Sequence, residues 1–177
     1  SAPLSGGAPT ARCLILVHPD AQRTMSTFLG ACTELGPEDV DAELVKNSKV
    51  TYLEGYLWDP PKAKEAFIKA SKIAHEAGRK VSLSLSDAFC VDRHRDSFME
   101  LIDGHVDILF ANETEITSMF QVNSFEEAAQ LVAGKCEVAA LTQSEQGSLI
   151  IANGEQFRVP AEKVEKLEDT TGAGDLY

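Results

Sequence analysis

Short apolar runs alternate with longer amphipathic stretches along most of the chain, and this pattern predicts strands separated by helices. Apolar runs of strand length occupy 13–17, 50–53, 81–86, 106–110 and 137–141. Residues 59–77 place alanines and larger apolar residues three and four positions apart, which is typical of a helix with one buried face. Further helices are predicted at 37–46, 92–102, 112–120 and 124–133.

The alternation of strands and helices predicts an α/β fold, a three-layer sandwich around a mainly parallel central sheet. Two hairpins accompany this core. A turn at 18–22 returns the first strand as a second one over 23–29. The Asn153-Gly154 pair predicts a hairpin between strands 148–152 and 155–159.

Polar residues at the ends of predicted elements identify helix caps and a candidate site. Asp59 precedes Pro60-Pro61 and is expected to cap the helix at 59–77, and Ser124 is expected to cap the helix that follows it. In parallel sheets, ligands gather at the carboxyl ends of the strands. The residues that follow predicted strands and carry chemistry are Asp87, Asn112, Thr142 and the turn at Gly172.

Composition narrows the classes of partner. The chain has 177 residues, 44% of them hydrophobic, which suffices for a single core, and its net charge of −12 argues against nucleic acid or an anionic membrane as partner. No apolar run approaches the roughly 18 residues of a membrane helix, and no secretory signal is visible. The four scattered cysteines predict reduced thiols in a cytoplasmic protein and argue against a zinc site.

The last nine residues, Asp169 to Tyr177, carry the strongest candidate chemistry. Glycines in the Gly172-Ala173-Gly174 turn allow another molecule to approach the backbone closely, and several N–H groups can then converge on an anion. Asp175 would lie beside that anion and could accept a proton from a nucleophilic hydroxyl. Taken alone, the turn is equally compatible with an ordinary glycine-rich loop after a strand.

The complete string DTTGAGD resembles the signature of the ribokinase-like (PfkB-type) sugar and nucleoside kinases. The resemblance implies that Asp175 is the catalytic base and that the amides of Gly172, Ala173 and Gly174 form an anion hole. It also implies ATP and Mg²⁺ as cofactors, with Thr171 near the nucleotide.

A second motif, Asn112-Glu113-Thr114-Glu115, lies where a strand passes into a helix. On its own it is explained as well by Asn112 capping the helix, with acids favouring the helix dipole. It also resembles the N-x-x-E motif of the same kinases. That resemblance implies that Asn112 and Glu115 organise magnesium and the phosphates, usually through water.

The loop after the strand at 137–141 resembles the nucleotide loop T-x-G-x-x-G of this family. Thr142 and Gly147 match that pattern, whereas Ser144 replaces the first glycine. The resemblance implies a contact of Thr142 and Gly147 with ATP. A turn leading into the hairpin is the alternative.

Further strings favour an adenosine kinase-like branch. Residues 83–89 (LSLSDAF) and the NETE and TQ strings resemble adenosine kinases, which makes Phe89 a candidate to stack on a base. The string at 92–95 (DRHR) has no counterpart there, and its charges are expected on a helix surface. Adenosine is therefore the favoured acceptor; a ribokinase- or fructokinase-like sugar kinase and a non-catalytic ligand-binding remnant are the alternatives.

In the resembled family, a small β-sheet lid covers the substrate. The resemblance divides the chain into a partial lid, residues 1–30, with Arg23 near the substrate mouth, and an α/β kinase core, residues 31–177, incomplete at both ends. Such kinases run to roughly 300 residues, so the piece by itself is expected to be inactive. An exposed strand edge on the lid makes a homodimer plausible.

Overall fold

The computed structural model describes residues 7–177, so the loop predicted at 1–10 lies partly outside the described residues. The predicted first hairpin is confirmed: strand β1 (Arg12–Val17) pairs antiparallel with β2 (Arg23–Phe28) as a separate two-stranded sheet. Both strands are exposed along their whole length, and large apolar side chains such as Leu14 (71% exposed) and Leu16 (68%) lie on the surface. The assignment of residues 1–30 to a lid, and of its edge to a homodimer, stays a prediction.

The described residues contribute six further strands, which form the central sheet and follow each other in space in the order of the chain. The first four run parallel and the last two join antiparallel, which confirms the predicted α/β fold with a mainly parallel sheet. These strands are β3 (Val50–Glu54), β4 (Lys80–Ser84), β5 (Ile108–Asn112), β6 (Val138–Thr142), β7 (Ser148–Ala152) and β8 (Glu155–Val159).

Among residues 7–177, five α-helices accompany the sheet: α1 (Ala42–Asn47), α2 (Pro61–Glu76), α3 (Ala88–His105), α4 (Glu113–Phe120) and α5 (Phe125–Val132). None of the helices in the described part of the chain is long and apolar enough to cross a bilayer. The cap predicted at Ser124 is confirmed, because its hydroxyl accepts a hydrogen bond from the Glu127 amide at 3.2 Å.

Two predicted helices have different limits in the structure. The segment 37–46 is divided into a 3-10 turn at Pro37–Asp39 and α1, because Asp41 accepts bonds from two amides and starts a new helix. The helix predicted at 92–102 begins earlier, at Ala88, where Asp87 caps it, and its backbone is non-helical at His94 (φ −128°, ψ 24°).

The cap predicted at Asp59 is wrong. Pro60 occupies the N-cap of α2 without a side-chain bond, and its rigid ring together with Pro61 suits the helix start. The Asp59 carboxylate instead accepts hydrogen bonds from Arg93 at 2.9 Å and from His94 at 2.6 Å, both on α3. Asp59 therefore joins two helices, and the pKa of its carboxyl is lowered, mainly by Arg93.

The core lies between the helices and the sheet, and an aromatic group anchors it. Trp58 stacks on Phe98 with ring centroids 5.5 Å apart and lies 5.4 Å from Phe67. The buried face of α2 carries small residues, among them Ala74, which belongs to the same core cluster as these rings and is fully buried. The helix with one apolar face predicted at 59–77 is therefore the one observed.

Replacement of Phe98 by alanine is expected to lower the free energy of unfolding by about 3–5 kcal/mol, because a fully buried ring leaves a cavity between Trp58 and the sheet. Phe89→Ala on the same helix is the matched control. The Phe89 ring is 74% exposed, so its loss should change stability by no more than about 0.5 kcal/mol. Urea denaturation measures both. Equal shifts in the two variants would contradict this packing.

Candidate active site

The carboxyl ends of β3, β4, β5 and β6 share one edge of the sheet, because these four strands are parallel. The structure places Asn112 directly opposite Thr142 in the register of β5 and β6. Asp87 follows β4 as the cap of α3, and its carboxylate accepts the amide of Cys90 at 3.1 Å. Polar residues predicted to follow separate strands are thus brought to a single edge.

Asn112 and Glu115 lock each other at the start of α4. The Glu115 amide donates to Asn112 Oδ1 at 2.9 Å, while the Asn112 amide and Nδ2 donate to the two Glu115 carboxylate oxygens at 2.9 and 2.8 Å. Glu115 is only 6% exposed. Burial raises the pKa of its carboxyl, the Asn112 amide opposes that change, and the charges of Asp87 and Glu54 add to it.

This arrangement fits a magnesium ion held together with nucleotide phosphates. Within residues 7–177, no three or more His, Cys, Asp or Glu side chains are grouped closely enough to enclose a metal by themselves. Magnesium in nucleotide sites is commonly held by one or two carboxylates, and waters and phosphate oxygens complete the shell. A nearby cation stabilises the ionised form of a buried carboxylate such as that of Glu115.

The closing segment folds into a series of turns against the sheet. Leu176 N donates to Gly172 O at 3.0 Å, and the Tyr177 hydroxyl lies 2.6 Å from Ser148 Oγ at the start of β7. Gly172 takes a left-handed backbone (φ +74°), which glycine adopts without steric cost. The contact between Tyr177 and Ser148 therefore holds the last residue of this segment at the carboxyl edge, since Ser148 pairs with Thr142 of β6.

The amides of the turn are only partly engaged. Ala173 N donates to Thr170 O at 3.3 Å, whereas the amides of Gly172 and Gly174 make no hydrogen bond to any part of the chain that the structure describes. The Asp175 carboxylate lies over the turn: Oδ2 is 3.7 Å from the position that a Cβ on Gly172 would take. The assignment of all three amides to an anion hole stays a prediction.

The charges of carboxylates from four different segments act on Tyr56, which follows β3. Burial raises the pKa of the Tyr56 hydroxyl, and the negative charges of Asp87, Glu115, Asp175 and Glu54 raise it further. Among the described residues, Asp175 makes no ion pair, and its carboxylate is exposed. No protein cation neutralises this carboxylate within the described residues, and its part in a substrate site stays a prediction.

Glu54, the last residue of β3, was not singled out from the sequence. Its two carboxylate oxygens accept hydrogen bonds from the Tyr52 hydroxyl, at 2.8 Å, and from the Ser86 hydroxyl. Burial and the bond to Glu54 raise the pKa of Tyr52 to about 12. The sequence pattern could have identified Glu54, since it directly follows an apolar strand. The same criterion identified Asp87.

The two candidate substrate residues lie in different surroundings. Phe89 is the second residue of α3, two positions after Asp87, and its exposed ring takes no part in the core. Arg23, at the start of β2, donates through Nη1 to Thr170 Oγ1 at 3.0 Å. Within the closing segment, the Thr171 amide donates to Asp169 Oδ1 at 2.8 Å.

Gly147 has a structural reason to be glycine. Its backbone is left-handed (φ +91°), and a Cβ there would lie 2.0 Å from Val159 O, so the chain after β8 crosses directly over it. Ser144, where the family pattern has glycine, also has a positive φ (48°). A positive φ at this position is the kind of backbone that favours glycine, the residue of the resembled pattern. A nucleotide contact by Thr142 or Gly147 stays a prediction.

The charged side chains at 92–95 form ion pairs and hydrogen bonds within the fold. Arg93 and His94 bind Asp59, and Arg95 binds Asp92 and donates to Ser118 O at 3.1 Å. The four cysteines are free thiols, and burial raises the pKa of Cys90 and of Cys136 to about 11. Neither group extends the site at the sheet edge.

Comparison with known proteins gives consistent results. The pfkB family carbohydrate kinase model matches residues 2–177. A probable sugar kinase from Rhizobium etli CFN 42 is 53% identical with a TM-score of 0.91, over 95% of this chain and 51% of that one. The adenosine kinase from Sinorhizobium meliloti is 51% identical with a TM-score of 0.94, over 99% of this chain and 54% of that one.

A more distant structure, a putative ribokinase II from E. coli in complex with ATP and Mg²⁺, is 23% identical with a TM-score of 0.77, over 87% of this chain and 51% of that one, and shows the shared fold. The chain spans about half the length of each of these relatives. The family match extends over nearly all of the sequence. The chain belongs to the pfkB family of carbohydrate kinases.

Proposed function

We propose that this chain carries the phosphoryl-transfer site of an ATP-dependent kinase that phosphorylates a primary hydroxyl of a nucleoside or sugar, with adenosine the favoured acceptor. One observation carries the proposal. An exposed Asp175 carboxylate lies over the Gly172 turn, whose amide has no partner among the described residues, and Tyr177 of the same segment contacts Ser148, which pairs with Thr142 at the carboxyl edge of the sheet. A base beside free amide donors is the arrangement that phosphoryl transfer requires.

Each residue at the edge then has a part in the reaction. Asp175 takes the proton from the acceptor hydroxyl as its oxygen attacks the γ-phosphorus of ATP, and ADP leaves. The amides of Gly172, Ala173 and Gly174 donate to the oxygens of the phosphoryl group in transit. Asn112 and Glu115 would hold magnesium, which neutralises phosphate charge when bound.

The remaining candidates bind rather than react. Thr142, Gly147 and Thr171 line the nucleotide side, and Arg23 lies at the acceptor side next to the closing turn. The relatives are about twice as long as this chain. Activity is therefore assayed in a polypeptide of the relatives' length that contains this sequence, called the full-length protein below. Calorimetry with Mg–ATP on the same protein tests the non-catalytic alternative, in which ligand binds without turnover.

Two observations favour two acceptors. For adenosine, the exposed ring of Phe89 provides an aromatic face on which a base could stack. The adenosine kinase from S. meliloti is 51% identical to this chain in sequence. For a sugar, Glu54 provides a carboxylate held by Tyr52 and Ser86, the kind of acceptor that sugar hydroxyls need, and the R. etli sugar kinase is as similar. We favour adenosine as the acceptor.

A panel of adenosine, ribose, fructose and 2-keto-3-deoxygluconate, tested with the full-length protein, separates these acceptors. Phe89→Ala is expected to raise the KM for adenosine by about tenfold, since base–aromatic stacking contributes about 1–3 kcal/mol. The KM for Mg–ATP should not change. Phosphorylation of a sugar in preference to adenosine, or an unchanged KM for adenosine in the variant, would favour the sugar kinase.

A further inference from the structure

The β1–β2 hairpin contacts the rest of the chain at its turn. Its strands are exposed throughout, yet Ala21 in the turn is only 2% exposed. Ala21 also has a left-handed backbone (φ +64°), which a residue with a Cβ adopts only when its surroundings hold it there. The turn is closed internally by bonds from His18 N to Gln22 O (2.7 Å) and from Ala21 N to His18 O (3.0 Å).

One hydroxyl joins this turn to the closing segment of the chain. Thr170 Oγ1 donates to Ala21 O at 3.1 Å and accepts from Arg23 Nη1 at 3.0 Å. A threonine hydroxyl has one donor and two acceptor positions, so both bonds are satisfied by the same oxygen. The partners lie 147 and 149 positions away in sequence, and Thr170 is partly buried.

The next residues of the closing segment form the Gly172-Ala173-Gly174 turn, called the anion turn below. Thr171 N donates to Asp169 Oδ1 at 2.8 Å, and Ala173 N donates to Thr170 O at 3.3 Å. The hydroxyl and amide of Thr171 lower the pKa of Asp169, and the charge of Arg23 adds to this effect. Thr170 therefore takes part in the turn through its backbone and in the hairpin through its side chain.

We propose that Thr170 is a positioning residue that couples the hairpin to the anion turn, so that the two move as one unit when substrate is enclosed; this rests on the proposed kinase function. Its hydroxyl holds the hairpin turn beside the Gly172 turn and directs the Arg23 guanidinium. A hairpin detached from the turn would admit water to the site. Water would then replace the acceptor hydroxyl as the attacking oxygen, and ATP would be split into ADP and inorganic phosphate.

The link itself can be tested on the chain described here by hydrogen exchange. Thr170→Val keeps the side-chain shape but can neither donate nor accept, and it should speed exchange of the His18 and Ala21 amides by at least about threefold, as expected for loss of one net hydrogen bond. Thr170→Ser should behave like the unmodified chain. Thr27→Val is the matched control, because the Thr27 hydroxyl contacts only Cys13 within the hairpin. Amides of β7 report any global loss of stability.

The kinetic consequence is tested in the full-length protein with the same three variants. Thr170→Val should raise the ratio of ATP hydrolysed to acceptor phosphorylated by about tenfold, whereas Thr170→Ser and Thr27→Val should leave it unchanged. Unchanged exchange at the hairpin turn, or faster exchange with an unchanged hydrolysis ratio, overturns the coupling. Faster exchange in a protein that phosphorylates no acceptor leaves the link intact and overturns the kinase function instead.

Discussion

Replacement of Asp175 by alanine in the full-length protein is expected to lower kcat by at least about 10²-fold, because a general base contributes 10²–10⁴-fold to such reactions. The carboxylate is exposed and lies over the Gly172 turn, so its removal should disturb neither the core nor the sheet. Asp175→Asn keeps the shape without the basic oxygen and should be as slow. Initial rates of ADP formation with saturating acceptor provide the measurement.

A control separates loss of the base from loss of negative charge nearby. Glu168→Ala removes an exposed carboxylate just before the closing segment, one that pairs with Lys166, and it should keep full turnover. Calorimetry should find the same affinity for Mg–ATP in all three variants. Normal turnover in either Asp175 variant would rule out the assignment of this residue as the base.

Glu115→Gln is expected to raise the magnesium concentration needed for half-maximal rate by about 10–100-fold, the range found for residues that support a metal through water or a neighbouring ligand. The substitution removes a charge that is buried and bonded by Asn112 at both oxygens, and whose carboxyl pKa is raised by burial and by the charges of Asp87 and Glu54. Rates measured over a magnesium titration at fixed ATP give this value directly.

Glu113→Gln, on the same first turn of α4, is the matched control. Glu113 is exposed, so the substitution removes the same charge from the same end of the helix dipole without touching the Asn112–Glu115 pair. Its magnesium dependence should equal that of the unmodified protein. Identical dependence in the two variants would mean that Glu115 acts only through the cap of α4.

The fold was predictable where apolar pattern and turn chemistry agree. The hairpin at 148–152 and 155–159 has the limits that Asn153-Gly154 predicts, since few other dipeptides suit its tight turn. The strands of the parallel sheet were found, but three of them extend past the apolar run, to Glu54, Asn112 and Thr142. Strand pairing continues there while the side chains have become polar, and this is where the candidate site begins.

The features that the sequence did not predict share a physical cause: a polar side chain can bind a partner that is distant in sequence. Asp59 has the sequence position of a cap, yet Arg93 and His94 lie within reach only once α2 and α3 have packed together. Arg23 and Thr170 are likewise unrelated in sequence and joined in space. Motif reasoning found the residues of the closing turn, but no local pattern shows what holds that turn in place.

Nuclear magnetic resonance of the full-length protein labelled with ¹⁵N-glycine tests the central claim most directly. On addition of Mg–ATP, the amide signals of Gly172 and Gly174 should shift strongly, because our proposal assigns these N–H groups to the γ-phosphate. Signals of Gly78 and Gly134, which have open space around them outside the site, should stay in place. Bound Mg–ATP with unmoved Gly172 and Gly174 signals would contradict the account.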